Sequence, residues 1–298
     1  MEFCVPDGWE YFSRKVFQKY ESLIQLNIIE HISRTKFNCW TRQFVSPEEK
    51  YLAAHLLDSL TYRTQKMNEA VYEHIFYVTL PGVLLKKKID IDDLHNSLQY
   101  TKSVKMKFIP VTDGVSACKS SDTYLREFRR KNIIKQFYLT TADRIVSFGD
   151  EIDVIVFFDD FVGTGKQFTK FYSKHNLGEI QDKKLIYIPL IAHERGLNEI
   201  NEKCSNICVN AVETITDEQS FFSPATATSD LWGKDRSNSV EAVKQFYIGF
   251  LKSKGIGNGK NFGNGQLALT LAFSSSSPNN TLNVFHSTQN NWQSLFTR

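Results

Sequence analysis

The stretch Val154 to Phe168, "VIVFFDDFVGTGKQF", constrains the fold more than any other part of the chain. The apolar run around it, Ile152 to Phe158, is short for a helix and dense in β-branched and aromatic residues, which fits a strand buried on both faces. Such a strand implies a parallel sheet. Two acids stand at its carboxyl end, the edge at which open α/β sheets bind ligands, and the glycines beyond them let backbone amides point at an anion. A sugar phosphate, with hydroxyls for the acids and an anion for the amides, suits that combination.

The surrounding pattern agrees. After Lys102, apolar runs alternate with amphipathic segments: Val104–Val111, Ile152–Phe158, Leu185–Ala192 and Ile207–Val212. Strands separated by helical segments predict a parallel α/β sheet, with helices expected near Asp122, after Gly165, and from Ser239 to Lys252 with a stop at Gly255. The first third reads instead as helices, from Trp9 to Ile32, after Ser46, and from Asp92 to Tyr100. Ser46-Pro47-Glu48-Glu49 places a serine cap, a first-turn proline and a capping-box glutamate ahead of Leu52, Leu56, Leu57 and Leu60. Beyond a glycine-punctuated loop from Gly255 to Gly265, Leu267–Phe273 and Leu282–Phe285 predict antiparallel strands about the turn at Ser277 to Asn280. The expected organisation is a helical extension over residues 1–100, then an α/β parallel-sheet domain over 101–298 that closes with a small carboxyl-terminal β hood.

Composition narrows the function classes. A chain of 298 residues with 41% apolar and 23% charged residues is that of an ordinary soluble protein, and no run approaches the roughly 20 apolar residues of a membrane helix. With Glu2, Pro6, Asp7 and Glu10 in place of a signal peptide's apolar segment, a cytoplasmic protein is expected. Five scattered cysteines do not form a disulfide framework, and Cys204 with Cys208 lacks a second ligand pair for a metal. A net charge of +3 does not demand nucleic acid, although Lys86 to Lys88 and the cluster Arg126, Arg129, Arg130 and Lys131 are local basic patches.

The segment Asp159 to Gln167 admits three interpretations. A nucleotide-triphosphate loop needs a glycine five residues before Gly-Lys and Ser or Thr after it, where this chain has Asp160 and Gln167. A plain surface turn explains the glycines, with Asp160 or Thr164 as a helix cap, but leaves two neighbouring like charges at the mouth of a sheet without a counter-ion or hydroxyl donors. In the third, hydrophobic strand, two acids, two apolar residues and Gly-Thr-Gly-Lys resemble the 5-phosphoribosyl 1-pyrophosphate (PRPP) motif of type I phosphoribosyltransferases, with the Thr-Gly-Lys form of the hypoxanthine-using branch. The resemblance implies a phosphoribosyltransferase-like core in which Asp159 and Asp160 hold the ribose hydroxyls. It makes Val162, Gly163, Thr164, Gly165, Lys166 and Gln167 the phosphate cradle and implies magnesium on the pyrophosphate. Two positions depart from the family pattern: Gly163, often a hydroxyl or small residue, and Gln167, usually threonine, whose amide can replace a hydroxyl donor.

Further pieces, "FIPVTDGVSACKSSDTYLREFRR", "GNGQLALTLAF", "PNNTLNVFHS" and "NNWQSLF", resemble a bacterial group of phosphoribosyltransferase-like proteins associated with antiphage and retron loci. That resemblance implies a defence effector restrained by a reverse transcriptase with its RNA and DNA product, and by a winged-helix protein. In the family a loop after the first core strand binds pyrophosphate, which here assigns Ser120, Ser121 and Arg126, though serines before a helix are also ordinary caps. His193 and Arg195 follow another core strand at the same sheet edge and are candidates for the acceptor, or simply helix-start residues. Trp292 fits a stacking platform or a buried anchor of the tail. The expected activity is transfer or removal of a phosphoribosyl group from PRPP. The alternative is a non-catalytic PRPP-fold module acting through protein or nucleic-acid partners.

Overall fold

The computed structural model describes residues 2–112, 133–223, 235, 237–257, 259, 261–274 and 276–298. Helix α1, Trp9–Gln25, ends earlier than the periodicity predicts, because Asn27 takes a left-handed φ of 54° through which no helix continues. Ser33 Oγ then accepts from Lys36 N–H at the head of α2, Arg34–Thr41, and Ser46 Oγ from Glu49 N–H at the head of α3, Pro47–Asp58. Glu49 reaches back to Val45 N–H at 2.6 Å, one residue beyond the expected capping box. Strand β1, Thr61–Arg63, precedes α4, Gln65–His74, a π turn at Ile75–Thr79, α5, Leu80–Lys86, and α6, Leu94–Tyr100. Pro81, which cannot donate to the helix ladder, is the second residue after that π turn.

The alternating region then delivers β2, Met106–Pro110, β3, Val154–Val162, α7, Lys166–Lys174, β4, Lys184–His193, α8, Glu194–Lys203, β5, Ile207–Val209, and β6, Glu213–Ile215. Helix α9, Val240–Lys254, is capped by Ser239 and stops at Gly255, whose φ of 67° is left-handed. Strand β7, Leu271–Phe273, and a short helix α10, Asn283–His286, follow. No helix among the described residues is long and apolar enough to cross a membrane.

These elements form two compact units, residues 66–215 and residues 1–65 with 216–298. The units do not follow the expected 1–100 and 101–298 division. Residues 66–100 belong with the parallel sheet, and the carboxyl-terminal segment belongs with the first helices.

In the sheet unit the lateral order is β2-β3-β4-β5, with β6 pairing β4 farther along, and every pairing is parallel. The strand expected over Ile207 to Val212 is shorter, Ile207–Val209, and the separate β6 begins only beyond that range, at Glu213. Val154 to Phe158 are each no more than 2% exposed, which confirms burial on both faces of β3. One face packs Ile155 and Phe157 against Phe168 and Phe171 of α7, and on the other Phe158 meets Phe108 and Phe76. The helix expected near Asp122 lies outside the described residues.

The other unit is an aromatic core. Leu267–Phe273 and Leu282–Phe285 do not pair as antiparallel strands: β7 runs parallel to β1, with Thr61 opposite Leu271 and Arg63 opposite Phe273, and the second segment enters α10. The indoles of Trp40 and Trp292 both donate to Val284 O, at 2.9 and 3.0 Å, and draw this segment into the core. Trp292 is therefore the buried anchor of the tail.

Candidate functional site

The apolar run ends at Phe158, yet β3 does not. Its register with β4 continues through Asp159 opposite Pro189 to Val162 opposite Ala192, because the apolar β4 is one residue longer and keeps offering backbone partners. The two acids thus stand within the strand, as its sixth and seventh residues of nine, instead of after it. Asp159 is buried, 3% exposed. Its Oδ2 accepts from the Tyr187 hydroxyl on β4 at 3.1 Å, and its Oδ1 accepts from Asp160 N–H at 3.0 Å. Asp160 is half-buried, with Oδ1 accepting from Phe161 N–H at 2.8 Å.

Electrostatics separates the two acids. Burial, followed by the like charge and side-chain hydrogen bond of Asp160, pushes the Asp159 carboxyl well above the usual carboxylate range, while the Tyr187 hydroxyl pulls it back. Burial and the charge of Asp159 in turn push the Tyr187 phenol up. Of the two, Asp160 is the partly exposed acid and the one a ligand can reach.

The glycine turn is built by close approach. Gly165 has φ 75°, a left-handed conformation that favours glycine, and a Cβ there would lie 2.6 Å from the Gly196 carbonyl oxygen. The contact is reciprocal: a Cβ on Gly196, in the first turn of α8, would lie 2.5 Å from Gly163 O and 2.8 Å from Val162 Cγ1. Gly165 is the N-cap of α7 and makes no side-chain cap bond, so the leading amides of that helix keep their donors for another partner. Thr164 is half-buried beside them, and Lys166 and Gln167 are exposed. Uncapped amides at a positive helix terminus, flanked by a hydroxyl, an ammonium and a carboxamide, suit a phosphate.

Of the sequence-derived candidates, the structure brings together Asp159, Asp160 and Val162 to Gln167. His193 is enclosed, and its Nδ1 accepts from Arg195 N–H at 3.2 Å as the cap of α8, while Arg195 is exposed. Ser120, Ser121 and Arg126 lie outside the described residues. Tyr187 and Gly196 escaped sequence reasoning. A glycine in the first turn of a helix, where it weakens helix formation, was the signal for Gly196; Tyr187 carried none beyond its place in an apolar run.

A family profile described as PRTase-CE matches residues 37–298. The chain belongs to the PRTase-CE family. The match takes in the seven strands of the described residues and the glycine turn, and leaves α1 ahead of it. The five-stranded parallel sheet accords with the phosphoribosyltransferase-like domain of this family. No curated protein matches the chain.

Proposed function

We propose that this PRTase-CE protein binds PRPP with magnesium and transfers or removes its phosphoribosyl group. One observation carries the proposal: a half-buried carboxylate, Asp160, stands at the carboxyl edge of the sheet two residues before a turn that leads into an uncapped helix N-terminus. The two features offer a carboxylate for ribose hydroxyls and amides for a 5-phosphate. Among the described residues no cluster of His, Cys, Asp and Glu is placed to hold a metal ion. Magnesium bound together with PRPP would neutralise the leaving pyrophosphate.

The chain's own groups supply the rest. Loss of pyrophosphate from the anomeric carbon develops positive charge on that carbon and the ring oxygen, and a carboxylate near the ribose favours that state. The α7 amides, Thr164 and Lys166 would hold the 5-phosphate and fix the ribose against Asp160. Calorimetric titration of magnesium and PRPP into the wild type and into Asp159→Asn plus Asp160→Asn tests the site. Saturable binding lost in the double variant supports it, and equal affinity overturns it.

The resemblance to retron-associated proteins extends the proposal to defence, with restraint by a reverse transcriptase, its RNA and DNA product, and a winged-helix partner. Growth would then fall when the chain is expressed without its neighbouring genes and recover in Asp159→Ala plus Asp160→Ala. Toxicity that persists in that variant removes the catalytic version.

A further inference from the structure

We infer that Tyr187 is a positioning residue that ties the ribose-facing acids to the phosphate turn. This role rests on the PRPP-binding function proposed above. Tyr187 makes two contacts that no other described residue combines. Its hydroxyl donates to Asp159 Oδ2 at 3.1 Å, and its ring stacks on Phe168 with centroids 3.8 Å apart and planes 12° from parallel. Phe168 lies in the first turn of α7, directly after Gln167, so the ring braces the helix whose amides would take the phosphate. Asp159 in turn accepts Asp160 N–H at 3.0 Å and fixes the backbone of the acid that meets the ligand. One buried side chain on β4 therefore bears on both halves of the site, and a bound ribose 5-phosphate spans those halves.

The chemistry explains why a phenol stands here. A buried carboxyl beside a like charge needs a donor on its inner oxygen, and phenylalanine would stack equally well but leave that oxygen unpaired. The titratable groups facing Asp159 are Asp160 beside it and Tyr187 across the strand, while α7 presents Phe168 to the same space. Tyr187 acts only through Asp159 and Phe168 and has no direct part in the chemistry.

The test is a double-mutant cycle on Mg·PRPP affinity, measured by calorimetry with Tyr187→Phe, Asp159→Asn and both together. Tyr187→Phe is expected to weaken binding about tenfold, the scale of one well-placed hydrogen bond. In the Asp159→Asn background the same change is expected to add less than twofold, because its route to the ligand has already been cut. A purely structural role would lower melting temperature and leave affinity unchanged. Phe168→Leu supplies an independent arm if Tyr187→Phe folds poorly. It keeps the hydroxyl, removes the stacked ring and is expected to weaken ribose 5-phosphate binding. Wild-type affinity in Tyr187→Phe, or in Phe168→Leu, alongside loss of binding in Asp160→Asn overturns the positioning role and leaves the PRPP site standing. Failure of the wild type to bind Mg·PRPP overturns both.

Discussion

The two edges of the parallel sheet each bury an ionisable residue, and they compensate it differently. At the amino-terminal edge Lys183, 9% exposed, donates to Gly149 O at 3.0 Å, to Ile152 O at 3.2 Å and to Asp182 Oδ2 at 3.0 Å. All three donors of its ammonium have partners, and the interaction closes the loop before β3. At the carboxyl-terminal edge Asp159, 3% exposed, adjoins another acid and receives one phenol and one amide. Its burial is only partly offset. A buried charge with full compensation is a structural fastener, whereas an acid held beside a like charge at the sheet edge stores an electrostatic cost that a ligand can relieve.

The sharpest way to break this contrast is to remove the exposed member of the acid pair. Asp160→Asn is expected to lower Mg·PRPP affinity by at least about 100-fold, about 2.7 kcal/mol, with the melting temperature held or raised because like-charge repulsion goes with it. Calorimetry and thermal denaturation read the two quantities separately. The opposite edge should invert the pattern. Lys183→Met would leave the Gly149 and Ile152 carbonyls without their buried donor and cost about 2 kcal/mol of stability. Ligand affinity should not change. Loss of affinity in Lys183→Met would mean that the two edges are coupled and that the contrast is false.

A third, smaller effect tests the sign of the electrostatics. Asp159 is raised in the folded state relative to the unfolded chain, so across the window above the ordinary carboxylate range the folded protein holds a proton that the unfolded chain has released. Its contribution is therefore favourable at low pH and is lost as pH rises. Asp159→Asn should flatten the stability profile in urea titrations from pH 4 to pH 8, with its advantage over wild type growing toward pH 8. A profile parallel to wild type would show that Asp159 is not the group responsible.

The same edges show what the sequence made legible. The buried strands were readable because a parallel strand covered on both faces must be apolar throughout, as Val154 to Phe158 are, and the acids and glycines followed in plain order. The contacts that make these residues a site were not readable. The Tyr187 bond to Asp159 depends on β3–β4 register, and the Gly165–Gly196 approach depends on where α8 starts against α7; neither leaves a local pattern. The carboxyl-terminal β segment misled for a related reason. Leu282 to Phe285 has strand-like composition, but Trp40, more than 240 positions earlier, claims the Val284 carbonyl and the segment coils into the aromatic core. Pairing of β1 with β7 is likewise set by tertiary closure over about 210 residues, so the unit division was hidden from any window along the chain.

The smallest effect is expected at Lys166, and its size decides how the phosphate is held. The side chain is exposed on the first residue of α7, so its attraction to a phosphate works through water and salt, whereas the α7 amides and Thr164 are fixed by the backbone. Lys166→Ala should weaken Mg·PRPP only about threefold at 0.15 M salt, the scale of an exposed ion pair. Part of that difference should disappear at 1 M salt, where the Debye length falls to about 3 Å. By contrast, Gly165→Ala meets the Gly196 carbonyl at 2.6 Å from a left-handed backbone and distorts the turn itself, so its loss should persist at either salt concentration. If Lys166→Ala instead matched Asp160→Asn at high salt, the phosphate would be held by the side chain and not by the helix terminus. The carboxyl-terminal edge would then be a conventional charged patch, without the preorganised amides that distinguish it from the edge closed by Lys183.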